Sequence, residues 1–118
     1  MSPKGHVVVK GDKHRITQVL SNLINNAIKF TTKGSIAVTM EKKINSEVVI
    51  TIIDTGLGID LEIMPHLFKK FVSNSFIGTG LGLYISKSII EAHGGKIWAE
   101  NNRDGNGATF SFSLPLKK

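Results

Sequence analysis

Apolar and polar positions recur along this chain with two different periods, and the switches between them divide it into elements. In residues 12–30, Ile16, Val19, Leu20, Leu23, Ile24 and Ala27 return at steps of three and four, the spacing of one buried helical stripe. Asp12 is a suitable N-cap for that helix, and Lys33-Gly34 ends the segment. At ~100° per residue, Gln18, Asn22, Asn26 and Lys29 fall on a neighbouring stripe ~100–150° from the apolar centre, at the border of the core. From Ile36 the period drops to two. Ile36, Val38 and Met40 alternate with Ala37, Thr39 and Glu41, which predicts a half-buried strand. After a turn at Asn45-Ser46, residues 48–53 are apolar and rich in β-branched side chains, the pattern of a central strand covered on both faces.

The second half repeats the alternation. Asp54 closes the central strand, and Gly56 and Gly58 open the chain into a loop. Pro65 starts a short helix over residues 65–71, residues 73–80 are irregular, and a second long helix runs from near Gly80 to about His93. Its apolar stripe is Leu81, Tyr84, Ile85, Ile89 and Ala92, and Gly94-Gly95 stops it. A strand at 97–100 and a turn at 101–107 lead to a last strand. There Ala108, Phe110, Phe112 and Leu114 face one way, and Thr109, Ser111 and Ser113 the other. Residues 7–9 read as a further short strand. The mixture predicts an α+β domain over residues 1–118, a two-layer sandwich of a mixed, mostly antiparallel sheet with helices on one face.

Composition narrows the chemistry. A chain of 118 residues with 41% hydrophobic and 20% charged residues is of a size and make-up to fold as one domain around a single core. Without cysteine there is neither a disulfide framework nor a thiolate metal site. No apolar run approaches the ~18 residues of a membrane span, and the first ten residues lack the apolar stretch of a signal peptide. These features predict a soluble, cytoplasmic domain without direct membrane contact, although its parent protein could be membrane-anchored. The net charge of +6 suits a nucleic-acid binder. The basic residues are scattered, however, and the phenylalanines and Trp98 mostly occupy patterned core or lid positions, so no nucleic-acid partner is expected.

Three groups of residues carry candidate chemistry. Asp54, at the end of a buried strand, can cap the following turn, or its carboxylate can accept a hydrogen bond from the exocyclic amine of a base. In the second case Gly56 and Gly58 let backbone lie against a ring. Gly78, Gly80 and Gly82, with Thr79, Leu81 and Leu83 between and after them, are spaced G-x-G-x-G. That is neither the dinucleotide fingerprint nor a P-loop. The run opens a helix, whose N-terminus offers N–H groups and the positive dipole end to phosphates, and it also suits a hinge. Asn22, Asn26 and Lys29 are either a solvated stripe or a ligand set. An amide oxygen is a hard ligand for Mg²⁺, and a lysine offsets phosphate charge.

In this order, these residues are similar to the catalytic ATP-binding domain of sensor histidine kinases, within the superfamily shared with gyrase and the mismatch-repair ATPases. The resemblance runs from Gly11 to Leu116. Its N box is Asn22-Leu23-Ile24-Asn25-Asn26-Ala27-Ile28-Lys29-Phe30. The first G box spans Asp54 to Ile59, the F box holds Phe68 and Phe71, and the second G box spans Gly78 to Leu83. The third is Gly105-Asn106-Gly107-Ala108-Thr109-Phe110. The resemblance implies a Bergerat-type fold, ATP and Mg²⁺ as ligands, and Asn22 and Asn26 serving metal and phosphates. It also implies Asp54 at the adenine amine, Thr109 assisting there, Phe68 and Phe71 as lid anchors, and phosphate contacts from the backbone of Gly80 to Leu83.

It implies partners as well: a histidine-containing dimerisation domain and, indirectly, a response regulator. None of His6, His14, His66 or His93 has the acidic neighbour of a phosphoacceptor, so that module is expected elsewhere in the parent kinase, and His66 and His93 are read as structural. The chain looks like a module cut from a longer kinase, short of part of the family's first strand. In the superfamily's ATPases a glutamate four residues before the Asn26 position activates water. Here that position is Asn22, which cannot take a proton, so phosphotransfer is favoured over the alternative of an ATPase or ATP-switched interaction domain. Residues 72–77 form a short lid without lysine or arginine, with Asn74 where other members place a lysine for the γ-phosphate.

Overall fold

The structure, a computed structural model, describes residues 11–31, 33–44, 46–70 and 81–116. The predicted strand at 7–9, Asn45, Phe71 and the Gly78-Thr79-Gly80 part of the second glycine loop lie outside the described residues. The elements are α1 (Lys13–Phe30), β1 (Ile36–Lys43), β2 (Glu47–Asp54), a 3-10 turn (Met64–His66), α2 (Gly82–Ala92), β3 (Ile97–Asn101) and β4 (Ala108–Pro115).

Asp12 caps α1 as its sequence position predicts. Its Oδ1 accepts from Arg15 N at 3.1 Å, and that backbone hydrogen bond holds its carboxyl below the ordinary value of 3.8. Val19, Leu23 and Ala27 are the buried centre of the predicted stripe. The strands form one sheet in the order β1-β2-β4-β3, every described pairing antiparallel. Directly paired residues share a face. The register therefore puts Val48, Ile50 and Ile52 with Leu114, Phe112 and Phe110, and Ile97 and Ala99 beside them. That face meets α1 and α2 in a single core centred on Val19, Leu23, Ile52, Ile90, Phe112 and Leu114. The α+β two-layer arrangement is the one the pattern predicts.

Three details of the pattern are corrected. β2 lies inside the sheet, but only one of its faces is packed beneath the helices, and Val49, Thr51 and Ile53 on the other face are half-buried. Val38 and Met40 stay 52% and 49% exposed, because β1 is an edge strand of the described sheet. On α2 the buried residues are Leu83, Ser86, Ile89 and Ile90, whereas Leu81, Tyr84 and Ile85 are half-buried and Ala92 is exposed. Lys87, Ser88 and Glu91 mark the outer side of α2, but Ser86 lies among Leu83, Ile89 and Ile90 and interrupts the apolar stripe that the sequence offers. Ser86 turns in because α1 offers it a polar partner.

The helix predicted at 65–71 shrinks to a single 3-10 turn followed by further turns to Lys70. Phe68 nonetheless reaches the core, edge-on to Phe110 with ring centroids 6.5 Å apart.

Candidate functional site

The site gathers where β2 ends, beside the C-terminal half of α1. Asp54 is the last residue of β2 and is 2% exposed. A buried carboxylate needs hydrogen bonds, and its Oδ1 accepts two, from Gly56 N at 2.9 Å and Ala108 N at 3.2 Å. Among the described residues Oδ2 makes none. The turn-capping role and a free acceptor therefore coexist on one side chain. Gly107 makes this possible. Its φ is +84°, and a Cβ there would lie 2.0 Å from Asp54 O and 2.7 Å from Asp54 Oδ1.

The first glycine loop folds back on α1. A Cβ on Gly56 would stand 2.2 Å from Phe30 O, and Leu57 N donates to that same oxygen at 3.3 Å. Gly56 is thus required for packing on the helix end, a reason the sequence did not disclose. Gly58 has φ +81°, which favours glycine. Beyond it, Asn26, Phe30, Gly58, Ile59, Asp60, Ile63, Leu67, Leu83 and Phe110 line a mostly apolar hollow. Asp54 is not in its wall. It follows Ile52 on the same sheet face, and Ile52 pairs with Phe110, so the carboxylate lies one same-face step from the floor. The hollow measures ≈ 30 Å³, room for about a water molecule, so its walls must part to admit a purine.

α1 supplies the polar wall. Asn22 Nδ2 donates to Gly82 O and to Ser86 Oγ, each at 3.2 Å, and so ties α1 to the first turn of α2. Among the described residues its Oδ1 makes no hydrogen bond. α2 starts without a side-chain cap, which leaves its first-turn N–H groups without that source of hydrogen bonds. One turn along α1, Asn26 Nδ2 is buried without a hydrogen-bond partner among the described residues. Thr31 Oγ1, beside Gly56, is likewise buried and unpartnered. Such groups are uncommon in native structures and cost about 1–3 kcal/mol each. Asn26 lines the hollow, so a ligand there would meet its amide, whereas Thr31 does not line it. Lys29 is exposed in the last turn of α1 and is not among the residues lining the hollow.

A stability test follows directly. Asn26→Leu, an apolar replacement of similar volume, is expected to leave the ligand-free domain as stable as the parent or up to about 1–2 kcal/mol more stable. Chemical denaturation checks this, and a clear loss of stability would show that the amide is satisfied in solution.

Thr109 is a correction. Its register partners are Ile53 and Glu100, so it faces away from Asp54, and its hydroxyl donates to Asn102 Oδ1. Ala108, the preceding residue, is the one that touches Asp54. The sequence reading also missed Asn101 and Asn102, which sit in a stretch legible only as a turn. Asn101 Oδ1 accepts from Ile59 N at 2.7 Å, and its Nδ2 donates to Ile59 O at 2.9 Å. Asn102 Nδ2 donates to Asp54 O and Asn106 O, both at 2.8 Å. Doubled polar residues beside a strand end are the only signal the sequence carried. His93 is structural, as read: its Nε2 accepts from Asp12 N at 2.9 Å, and Nδ1 lies 2.7 Å from Ile89 O.

No described helix is long and apolar enough to cross a membrane. No group of three or more His, Cys, Asp or Glu able to hold a metal occurs among the described residues.

Comparison with known proteins gives a consistent answer. Residues 11–118 match the family described as histidine kinase-, DNA gyrase B-, and HSP90-like ATPase. The chain is 46% identical to the sensor protein KdpD of Clostridium acetobutylicum over 96% of its own length, and 38% identical to the sensor histidine kinase WalK of Bacillus subtilis over 98%. It spans 13% and 20% of those two proteins. Among solved structures, full-length ShkA in complex with AMPPNP superposes with a TM-score of 0.85 at 32% identity, covering 99% of this chain and 24% of ShkA. The nucleotide-free catalytic domain of the histidine kinase ThkA does so at 0.80 and 41%, covering 91% of this chain and 71% of that one.

Proposed function

Because the chain belongs to the family of histidine kinase-, DNA gyrase B- and HSP90-like ATPases, we propose that it binds Mg-ATP and hands the γ-phosphate to a histidine on a separate dimerisation domain. In that step an imidazole nitrogen of the acceptor bonds to the γ-phosphorus. The bond to the β,γ-bridging oxygen breaks with its electron pair leaving on ADP, and the imidazole's ring proton is released to solvent. A response regulator would then draw the phosphoryl group from the histidine.

The observation that carries the reading is Asn26 Nδ2, buried and without a partner among the described residues, on the wall of a mostly apolar hollow. Turning the carboxamide over exchanges its nitrogen and oxygen, so the same position offers a donor to a phosphate oxygen or an acceptor to a cation. The residues fit Mg²⁺ in the same sense. Asn22 and Asn26 offer hard oxygen atoms, and Mg²⁺ typically completes its coordination with water and substrate phosphates. When bound, the cation would offset charge on the phosphates. Asp54 Oδ2 would accept from the adenine amine, and Ile59, Ile63 and Phe110 would sandwich the ring.

Asn26→Ala is expected to weaken Mg-ATP binding more than it weakens metal-free ADP binding, as read by calorimetric titration. Equal losses would assign Asn26 a structural role. The isolated chain should turn ATP over very slowly and should not label itself, since Asn22 stands where a hydrolytic relative needs a glutamate. Adding the parent's dimerisation domain should give phosphotransfer with an acid-labile product. Asn22→Glu should raise hydrolysis by part of the ~10²–10⁴-fold typical of a positioned base. Turnover near ~1 s⁻¹, within the ordinary range for dedicated enzymes, by the unaltered chain alone would establish the ATPase reading instead.

A further inference from the structure

Between Leu57 and Ile63 the chain supplies Gly58, Ile59, Asp60 and Ile63 to the lining of the hollow, and among the described residues a single side chain ties this stretch to the sheet. Leu57 is tethered to α1 through Phe30 O. After Asp60 the hydrogen bonds stay within the segment: Ile63 N and Met64 N donate to Asp60 O, and Glu62 N donates to Asp60 Oδ1. The stretch between depends on Asn101, the last residue of β3. Its amide takes both backbone groups of Ile59, accepting from the N–H at 2.7 Å and donating to the carbonyl at 2.9 Å. A planar amide paired with both groups of one residue reproduces a rung of a β-ladder where the strand itself has ended. The fit is close. A Cβ on Gly58 would stand 3.0 Å from Asn101 Oδ1.

Gly58, Ile59 and Ile63 all line the hollow, so whatever fixes Ile59 fixes the position of that wall. We infer that Asn101 is a positioning residue for base selectivity: by holding Ile59 it sets how closely the wall presses a bound purine towards Asp54. This rests on the hollow being the base site. With the wall fixed, a purine can sit only where its exocyclic group meets Asp54 Oδ2. An amine donates there, and a carbonyl oxygen is repelled. With the wall released, either purine can shift away from the carboxylate, so discrimination falls along with affinity.

The test uses the full chain and measures ADP, GDP and magnesium tripolyphosphate binding for the parent, Asn101→Ala and Asn101→Asp. Asn101→Ala should bind ADP about tenfold more weakly or worse and narrow the ADP-to-GDP preference by a similar factor, with tripolyphosphate affinity unchanged. Asn101→Asp keeps an acceptor for Ile59 N–H but loses the donor, and should fall between the two. A lower thermal midpoint with an unchanged ADP-to-GDP preference would mean that Asn101 is structural only and would overturn the inference. If Asn101→Ala does not fold, hydrogen exchange of the Ile59 amide in the parent decides: slow exchange supports the clamp, and exchange as fast as an open loop refutes it. Asp54→Asn separates this inference from the reading beneath it. Loss of ADP binding there, with selectivity intact in Asn101→Ala, removes only the role of Asn101. Unchanged ADP binding there removes the base site itself, and this inference with it.

Discussion

Asp54→Asn is expected to abolish or severely weaken adenine-nucleotide binding while leaving the fold intact. The carboxylate has two separable duties. Oδ1 accepts from Gly56 N and Ala108 N, and an asparagine can keep both bonds with its own oxygen. With the oxygen so engaged, the amide nitrogen must take the place of Oδ2, where it presents hydrogens to the hydrogens of the adenine amine. A charge-assisted bond worth about 1.5–3 kcal/mol is lost, roughly 10- to 150-fold in affinity, before any repulsion. Calorimetry with ADP, together with an amide spectrum to check the fold, would measure this. Undiminished ADP affinity would sink the assignment. Asp54→Ala is the less informative variant, since it also strands two buried N–H groups and would confuse loss of binding with loss of structure.

Gly107→Ala should be the most damaging single methyl group in the described part of the site. Two penalties coincide there. The backbone is left-handed at φ +84°, which costs a residue with a side chain about 1–2 kcal/mol. The new Cβ would also meet Asp54 O at 2.0 Å, a contact with backbone that no rotamer change can relieve, adding about 1–3 kcal/mol of overpacking. A combined loss of roughly 2–5 kcal/mol is expected by denaturant titration. Gly105→Ala is the built-in control. Its φ is +85°, but nothing lies within 4 Å of the added Cβ, so only the first penalty applies, about 1–2 kcal/mol. Equal losses at the two positions would show that conformation alone matters and that the third glycine turn is not pressed against Asp54. If Gly107→Ala folds at all, it should bind ADP poorly, because the strain falls on the base acceptor.

The sequence by itself determined the elements and the outline of the site. The four-residue recurrence of Val19, Leu23 and Ala27 fixed α1 and its buried side, and the two-residue alternation of Phe110, Phe112 and Leu114 fixed the packed face of β4. Both follow because a backbone period converts spacing directly into direction. Asp54 and the asparagines of α1 were legible because polar groups bordering an apolar run need partners. Only the tertiary structure could decide which partners they find. That Asn22 would bond to Gly82 and Ser86, sixty and more positions away, and that Asn101 would close on Ile59, depends on how elements distant in sequence are brought together. The same holds for Thr109. Its residue type suits a base site, but one step of register along β4 turns it to the other face and leaves Ala108 against Asp54. Likewise the polar Ser86 gave no sign in the sequence that it faces inward, and packing against α1 turned the face through Ser86 to the core. Periodicity is a local property that a sequence states outright. Register, helix rotation and hydrogen-bond closure between distant residues are set by the competition among all surfaces for burial, and they exist only once the chain has folded.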